Sequence, residues 1–245
     1  MSILTQSQGL LTRARRFAKR AADGLLAQDC LLCGQASGEK ILCPACAGDL
    51  PRLPVLRCPS CALPTASGET CGRCLAHPPH YDRTFAVFDY AFPLDKLIQS
   101  FKYGHRLALA ACLGQELTRL AQESRLESTV DLVVPLPLHP ARLRERGFNQ
   151  ALELARPVAG TLGLPLDFRV CARIRQTPAQ AGLPWKQREK NVRGAFHCAR
   201  DLSGQRILLV DDVMTTGASL DECARTLKRR GAAEVTLLVV ARTLP

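Results

Sequence analysis

With 245 residues, 47% hydrophobic composition and a formal net charge of +11, the chain is long enough for one large domain, or for an ordinary domain plus a small module. The longest uncharged apolar run is about seven residues, near Leu107–Leu113, against the roughly 20 needed to cross a bilayer, so a transmembrane role is not expected. The basic excess is concentrated: residues 168–200 carry +7 and residues 1–29 carry +3, a distribution that points to a polyanionic partner more than to general solubility.

In chain order, residues 1–28 predict a basic helix, with Leu10, Ala14, Phe17 and Ala21 on one face and Arg13, Arg16 and Arg20 on another. Its apolar content is too small for a signal peptide. Residues 29–78 then hold eight of the twelve cysteines as four CxxC pairs: Cys30/Cys33, Cys43/Cys46, Cys58/Cys61 and Cys71/Cys74. Both halves repeat CxxC-x9-CxxC with ASGE inside the gap, an internal duplication. A CxxC turn presents two thiolates on one knuckle, and tetrahedral zinc takes four, so two structural zinc ions are expected, each closed by consecutive knuckles. Pairing of the first knuckle with the third and the second with the fourth is the alternative. Four sulfurs fill each site, which leaves His77 and His80 as bystanders.

From residue 80 the pattern becomes that of an α/β domain running to residue 245. Residues 83–91 alternate as a strand, and 94–104 and 107–123 read as helices. Residues 131–138 form a short buried strand ending at prolines, followed by a helix through 147–163 and a strand near 166–174. A polar, basic passage covers 175–190. A wholly apolar strand (ILLVDDV), a helix ended by Gly231 and a last strand at 234–244 complete the chain. Apolar strands alternating with helices predict a parallel, doubly wound sheet, whose ligands sit at the carboxyl ends of its strands.

That rule draws attention to ILLVDDVMTTGAS at 207–219. Asp211 and Asp212 fall at the tip of a buried strand. Val213, Met214, Thr215, Thr216 and Gly217 then lead into a helix whose N-terminal N–H groups make an anion nest, with threonine hydroxyls as extra donors. Carboxylates beside such a nest suit the two ends of a ribose 5-phosphate, the acids accepting from sugar hydroxyls. GxxxxGK[ST] is absent, which disfavours a nucleoside triphosphatase.

These residues resemble the signature of type I phosphoribosyltransferases, and with the four knuckles ahead of them the chain resembles the ComF family, the ComFC and GntX-like proteins. The resemblance extends to FKYGHR at 101–106, VVPLPLHPARLRERGFNQA at 133–151 and RIRQTPAQAGLPWKQREKNVRGAF at 173–196. It implies a type I phosphoribosyltransferase fold behind a double zinc ribbon. Asp211 and Asp212 would hold the ribose hydroxyls of 5-phosphoribosyl-1-pyrophosphate (PRPP), and in an active enzyme would act catalytically by shielding charge on the sugar. Thr215, Thr216, Gly217 and Ser219 would cradle the 5′-phosphate, and Pro137 and Leu138 would belong to the pyrophosphate loop. The stretch holding Arg173, Arg175, Lys186, Arg188, Lys190 and Arg193 falls at a mobile flap. Trp185 within it is either a base-stacking platform or a packing residue. The resemblance further implies a cytoplasmic accessory role in DNA uptake and use, with single-stranded DNA and a helicase-type partner at the inner face of the membrane. The alternative is an active, Mg²⁺-dependent transferase of ribose 5-phosphate from PRPP to a nucleobase or amine.

Overall fold

A computed structural model of the chain describes residues 28–104, 106–176 and 192–245. The expected N-terminal helix before residue 28, His105, Trp185, Lys186, Arg188 and Lys190 lie outside the described residues. The described residues fall into two compact units, divided between Leu50 and Pro51.

In the first unit, strand β1 (Gln28–Asp29) pairs antiparallel with β2 (Ala36–Gly38). Helix α1 (Pro44–Gly48) follows, with Cys43 as its N-cap and a proline in its first turn. Proline fits there because its missing N–H has no helical partner to lose. The second unit begins with the other cysteine foursome, whose last knuckle opens helix α2 (Gly72–Ala76).

The remainder is built on β3 (Arg83–Asp89), β4 (Leu132–Pro135), β7 (Arg206–Met214) and β8 (Glu234–Arg242), all parallel, in the order β3-β8-β7-β4. Ile207 to Val210 and Val235 to Ala241 are buried throughout, including the one polar residue among them, Thr236, the pair partner of Leu208. Strands covered on both faces lose the alternation of half-exposed ones, which is why these two read as continuous apolar runs. Truncating one fully buried leucine such as Leu208 to alanine costs about 2–5 kcal/mol. Around the sheet lie α3 (Leu94–Tyr103), α4 (Ala108–Glu123), α5 (Pro140–Arg146), α6 (Gln150–Leu162) and α7 (Ala218–Lys228). Helices α4 and α6 approach closely at Gly114, where an added Cβ would stand 2.7 Å from Pro157 Cγ.

Three details differ from the sequence reading. The strand expected near 166–174 shrinks to β5 (Cys171–Arg173), which pairs antiparallel with β6 (Phe196–Cys198) outside the main sheet. Asp167 explains the break: its Oδ1 accepts from the N–H groups of Arg169 (2.8 Å) and Val170 (3.2 Å), turning the chain after Leu166 has made one bridge to Val133. The single helix expected through 147–163 is preceded by a separate helix, α5, ended by Gly147 at φ 79°. Strand β7 runs on to Met214, so Asp211 and Asp212 sit within the strand, and the anion nest is confined to the residues after it.

Candidate functional site

Each cysteine foursome is drawn together by consecutive knuckles: Cys30, Cys33, Cys43 and Cys46 in the first unit, and Cys58, Cys61, Cys71 and Cys74 in the second, with all sulfurs of a set within 4.8 Å of one another. Four sulfurs at about 2.3 Å from zinc define a tetrahedron with edges of roughly 3.8 Å. The Cys33–Cys43 separation is 3.8 Å and the Cys61–Cys71 separation 3.6 Å, so the sets fit zinc. The sequential pairing expected from the repeat is the one observed. Within each set one thiol is primed for ionisation. Burial opposes the Cys58 thiolate, but N–H groups of Cys71, Cys61 and Ser60 outweigh it and bring its pKa to about 7. Burial is likewise overcome at Cys30 by N–H groups of Cys43, Cys33 and Leu32, to about 6. His80 is no ligand; its Nδ1 lies 3.0 Å from Asp221 Oδ2 on α7.

The second site is a cleft of about 260 Å³ at the carboxyl end of β7. Its walls come from β7 (Asp211 to Met214), the turn into α7 (Thr215, Gly217, Ala218, Ser219), the end of β4 and its loop (Leu136, Leu138), the start of α6 (Asn149, Gln150), and Lys102, Arg146 and Arg173. Consecutive strand residues project from opposite faces, so the two carboxylates have different surroundings. Asp212, buried, receives Lys102 Nζ of α3 at 2.8 Å. Burial works against the lysine's charge, yet Asp212 and Asp211 outweigh it and hold its pKa above the ordinary value. Asp211 accepts the N–H of Asp212 at 2.8 Å. Burial first, and the neighbouring Asp212 charge second, push its pKa up to about 7, with Lys102 and Arg173 pulling the other way.

The turn between β7 and α7 is shaped by Gly217. Its φ of 83° is in the left-handed region, and a Cβ there would lie 2.8 Å from Met214 Cε and 3.3 Å from Tyr81 Oη. Only glycine fits both constraints. Of the residues expected at a 5′-phosphate, Thr215, Gly217 and Ser219 line the cleft, whereas Thr216 turns its Oγ1 to the N–H of Ala218 at 3.4 Å, within the turn. Leu138 lines the cleft and Pro137 does not. Arg173 lines it too, its guanidinium 5.4 Å over the Phe196 ring. Arg175 is instead fastened to the carbonyl of Arg193 at 2.6 Å, at the foot of the β5–β6 ribbon, and Glu222 of α7 accepts the N–H of Gly194 at 2.7 Å beside it.

Lys102, Asn149, Arg146 and Gln150 are among the lining residues that carried no role in the sequence reading. Lys102 lies in FKYGHR, whose spacing offered no hint of an ion pair with Asp212. Asn149 caps α6 through Ala151 N (3.0 Å) and donates to Leu136 O (3.1 Å), tying helix to loop. Arg146 Nη1 donates to Gln150 Oε1 at 2.7 Å and its guanidinium lies 5.1 Å from the ring centre of exposed Tyr103. Gln150 is 1% exposed, and its Nε2 has no hydrogen-bond partner among the described residues. A buried amide donor left unsatisfied costs about 1–3 kcal/mol, and this one belongs to a residue of the cleft wall. The only sequence signal for Gln150 was its position at the start of a helix following a prolyl loop.

The arrangement can accept hydrogen bonds from a diol, receive an anion at the N-terminus of α7, and offer cations and an amide donor from other residues of its lining. Comparison with known proteins agrees with this architecture. Residues 149–244 match the family model of the phosphoribosyl transferase domain and residues 21–75 that of the double zinc ribbon domain. The DNA utilization protein YhgH of Salmonella typhimurium is 37% identical over 207 residues, covering 83% of this chain and 91% of that protein. The Escherichia coli K12 protein of the same name is 36% identical over 88% of this chain and 97% of its own length. Competence protein F of Haemophilus influenzae is 31% identical over 71% of this chain and 79% of its own.

Proposed function

The chain belongs to the ComF family, a double zinc ribbon joined to a phosphoribosyltransferase-type domain, and from that premise we propose that it is a DNA-utilisation accessory protein that binds PRPP and single-stranded DNA. The observation that carries the ligand assignment is Asp211 and Asp212 beside the Gly217 turn and the N-terminus of α7 in one cleft. The turn receives the 5′-phosphate through its N–H groups and Thr215 and Ser219. Asp211 and Asp212 accept from the ribose hydroxyls, with Lys102 fixing Asp212. Elsewhere in the lining, Arg146, Arg173 and the Gln150 amide meet pyrophosphate oxygens. Mg²⁺ suits this donor set, since that ion commonly uses one or two carboxylates together with substrate phosphates, and Asp211 makes no ion pair among the described residues, unlike Asp212. When bound with PRPP, Mg²⁺ would supply charge neutralisation at the leaving group.

The +7 excess of residues 168–200, which includes Arg173, Arg175, Lys186, Arg188, Lys190 and Arg193, supports a backbone-tracking surface for single strands, with salt-dependent affinity. The names of the curated relatives, in DNA utilization and competence, support the same setting. No described helix is long and apolar enough to cross a membrane; we place the protein's work in the cytoplasm, with access to the inner face of the membrane through a helicase-type partner.

Calorimetric titration with PRPP and Mg²⁺ tests the ligand assignment. We expect binding by the native chain and loss of at least tenfold in affinity in Asp212→Asn, in line with removal of a charge-assisted contact. The absence of heat in the native protein across millimolar PRPP would overturn it.

A second reading has its own observation. The exposed Tyr103 ring, at the end of α3 beside Lys102 and covered on one side by Arg146, offers a planar acceptor a stacking surface at the cleft. An active transferase would then displace pyrophosphate from ribose C1 with a nitrogen nucleophile. It predicts acceptor-dependent pyrophosphate release, lost in Asp211→Asn; no release across a broad panel of bases and amines would refute it.

A further inference from the structure

Arg242, near the end of β8, is 2% exposed. Its Nη1 donates to the carbonyls of Met214 (2.9 Å), Thr215 and Thr243 (2.8 Å), and its Nε donates to the carbonyl of Cys61 at 2.9 Å. One buried guanidinium therefore joins the second zinc knuckle to the first residues of the turn that walls the cleft. A second bond repeats the connection, since Arg73, between Cys71 and Cys74, donates through Nη2 to Thr216 O at 3.3 Å. Tyr81, between the ribbon and β3, stands under Gly217. The ribbon is also fastened to the sheet edge, where Thr84 of β3 donates from N to Pro59 O (2.9 Å) and from Oγ1 to Ser60 O (2.5 Å).

Two physical consequences follow. The carbonyls of Met214, Thr215 and Thr216 are all engaged from the side of β8 and the ribbon, which leaves the N–H groups of the turn to face the cleft. Further, a buried cation requires a counter-charge, and among the described residues the hydrogen-bond partners of Arg242 are all neutral carbonyls. Zinc with four thiolates carries a net charge of −2, and Cys61, one of those thiolates, is the residue that Arg242 holds by its carbonyl.

We infer that the second zinc centre is a working part of the phosphoribosyl site: its thiolates are the counter-charge of Arg242, and Arg242, as a positioning residue, holds the 214–216 turn in the anion-receiving form. This rests on the proposed ligand for its binding arm but not for its ligand-free arm. Because coupling between sites is reciprocal, zinc at Cys58, Cys61, Cys71 and Cys74 raises PRPP affinity, and PRPP retains that zinc ion.

The ligand-free arm uses amide hydrogen exchange on the full zinc-loaded chain and on Cys71→Ser. Exchange at residues 213–218 should accelerate at least tenfold in the variant, while β4 stays protected. Loss of one zinc ion with unchanged exchange at 213–218 would overturn the inference. If Cys71→Ser unfolds altogether, Arg242→Met with both zinc ions retained should give the same local acceleration, and native-like exchange there would equally overturn it. In the binding arm, zinc release from the native chain to a chromogenic chelator is followed with and without PRPP and Mg²⁺. PRPP should slow release of one of the two ions. PRPP that binds by calorimetry yet leaves both release rates unchanged would refute the coupling, whereas failure of PRPP to bind at all refutes the ligand assignment and leaves the exchange arm to decide.

Discussion

Replacing Asp211 by asparagine should stabilise the ligand-free protein more in alkaline solution than in mild acid. The Asp211 carboxyl titrates at about 7 in the fold against an ordinary 3.8, because burial and the charge of Asp212 disfavour its ionised form. The folded state thus keeps a proton that the unfolded state has released, so stability falls as pH rises from about 4 to about 7 and is level above. A rise of roughly three pKa units corresponds to about 4 kcal/mol over that whole interval, of which about half lies above pH 5.5. Water in the cleft and the cations Lys102 and Arg173 screen part of it, so we expect Asp211→Asn to gain about 1–2 kcal/mol more at pH 8.5 than at pH 5.5. The exchange is sterically mild, since an asparagine Oδ1 can still accept the N–H of residue 212. Urea unfolding at the two pH values, with equal slopes, gives the comparison directly. Equal effects at both pH values, or a larger gain in acid, would refute the reasoning about how this acid pair is held.

Other expectations follow from the same geometry. Metal analysis of protein purified without added zinc should give about two ions per chain, and one ion would mean that a cysteine foursome is idle. Gln150→Leu removes an unsatisfied buried donor together with the acceptor of Arg146 Nη1, so the two effects offset and the ligand-free chain should lose no more than about 2 kcal/mol, while PRPP binding falls and ribose 5-phosphate binding does not; equal loss for both ligands in calorimetry would place the amide away from pyrophosphate. Gly217→Ala should cost about 1–3 kcal/mol in thermal or urea unfolding through its left-handed backbone and the clash with Met214, and unchanged stability would show that the turn is not fixed. Replacing Lys186, Arg188, Lys190 and Arg193 together should weaken single-stranded oligonucleotide binding and flatten its salt dependence by up to about three units of slope, measured by anisotropy across salt concentrations. An unaltered slope would move the DNA surface elsewhere.

Much of this architecture was legible because its signals are local and periodic. The repeated CxxC spacing fixes which sulfurs can share a metal, since a knuckle is closed by neighbours in sequence. The uninterrupted apolar runs of β7 and β8 mark strands covered on both faces, and two acids followed by TTG mark the carboxyl end of one of them. The parts that escaped are those in which distant segments meet. Lys102 and Asp212 are separated by more than a hundred residues, and nothing in FKYGHR specifies the ion pair. Arg242 reads as an ordinary residue of a last strand, and its bonds to Cys61 and to the 214–215 turn arise only from the sheet order that puts β8 between β3 and β7. The shortening of the strand expected near 166–174 has a different origin: its residues are apolar enough for a strand, but the Asp167 side chain captures backbone N–H groups that a longer ladder would need.

The central claim is that one phosphorylated ribose occupies the cleft with its two ends on the two kinds of group gathered there. A crystal structure of the chain soaked with PRPP and Mg²⁺ tests it most directly. The account predicts the 5′-phosphate against Thr215, Gly217 and Ser219, with the ribose hydroxyls on Asp211 and Asp212. A phosphoribosyl group found elsewhere, or seated in the cleft with its phosphate turned toward Arg146 and its hydroxyls away from both carboxylates, would contradict it.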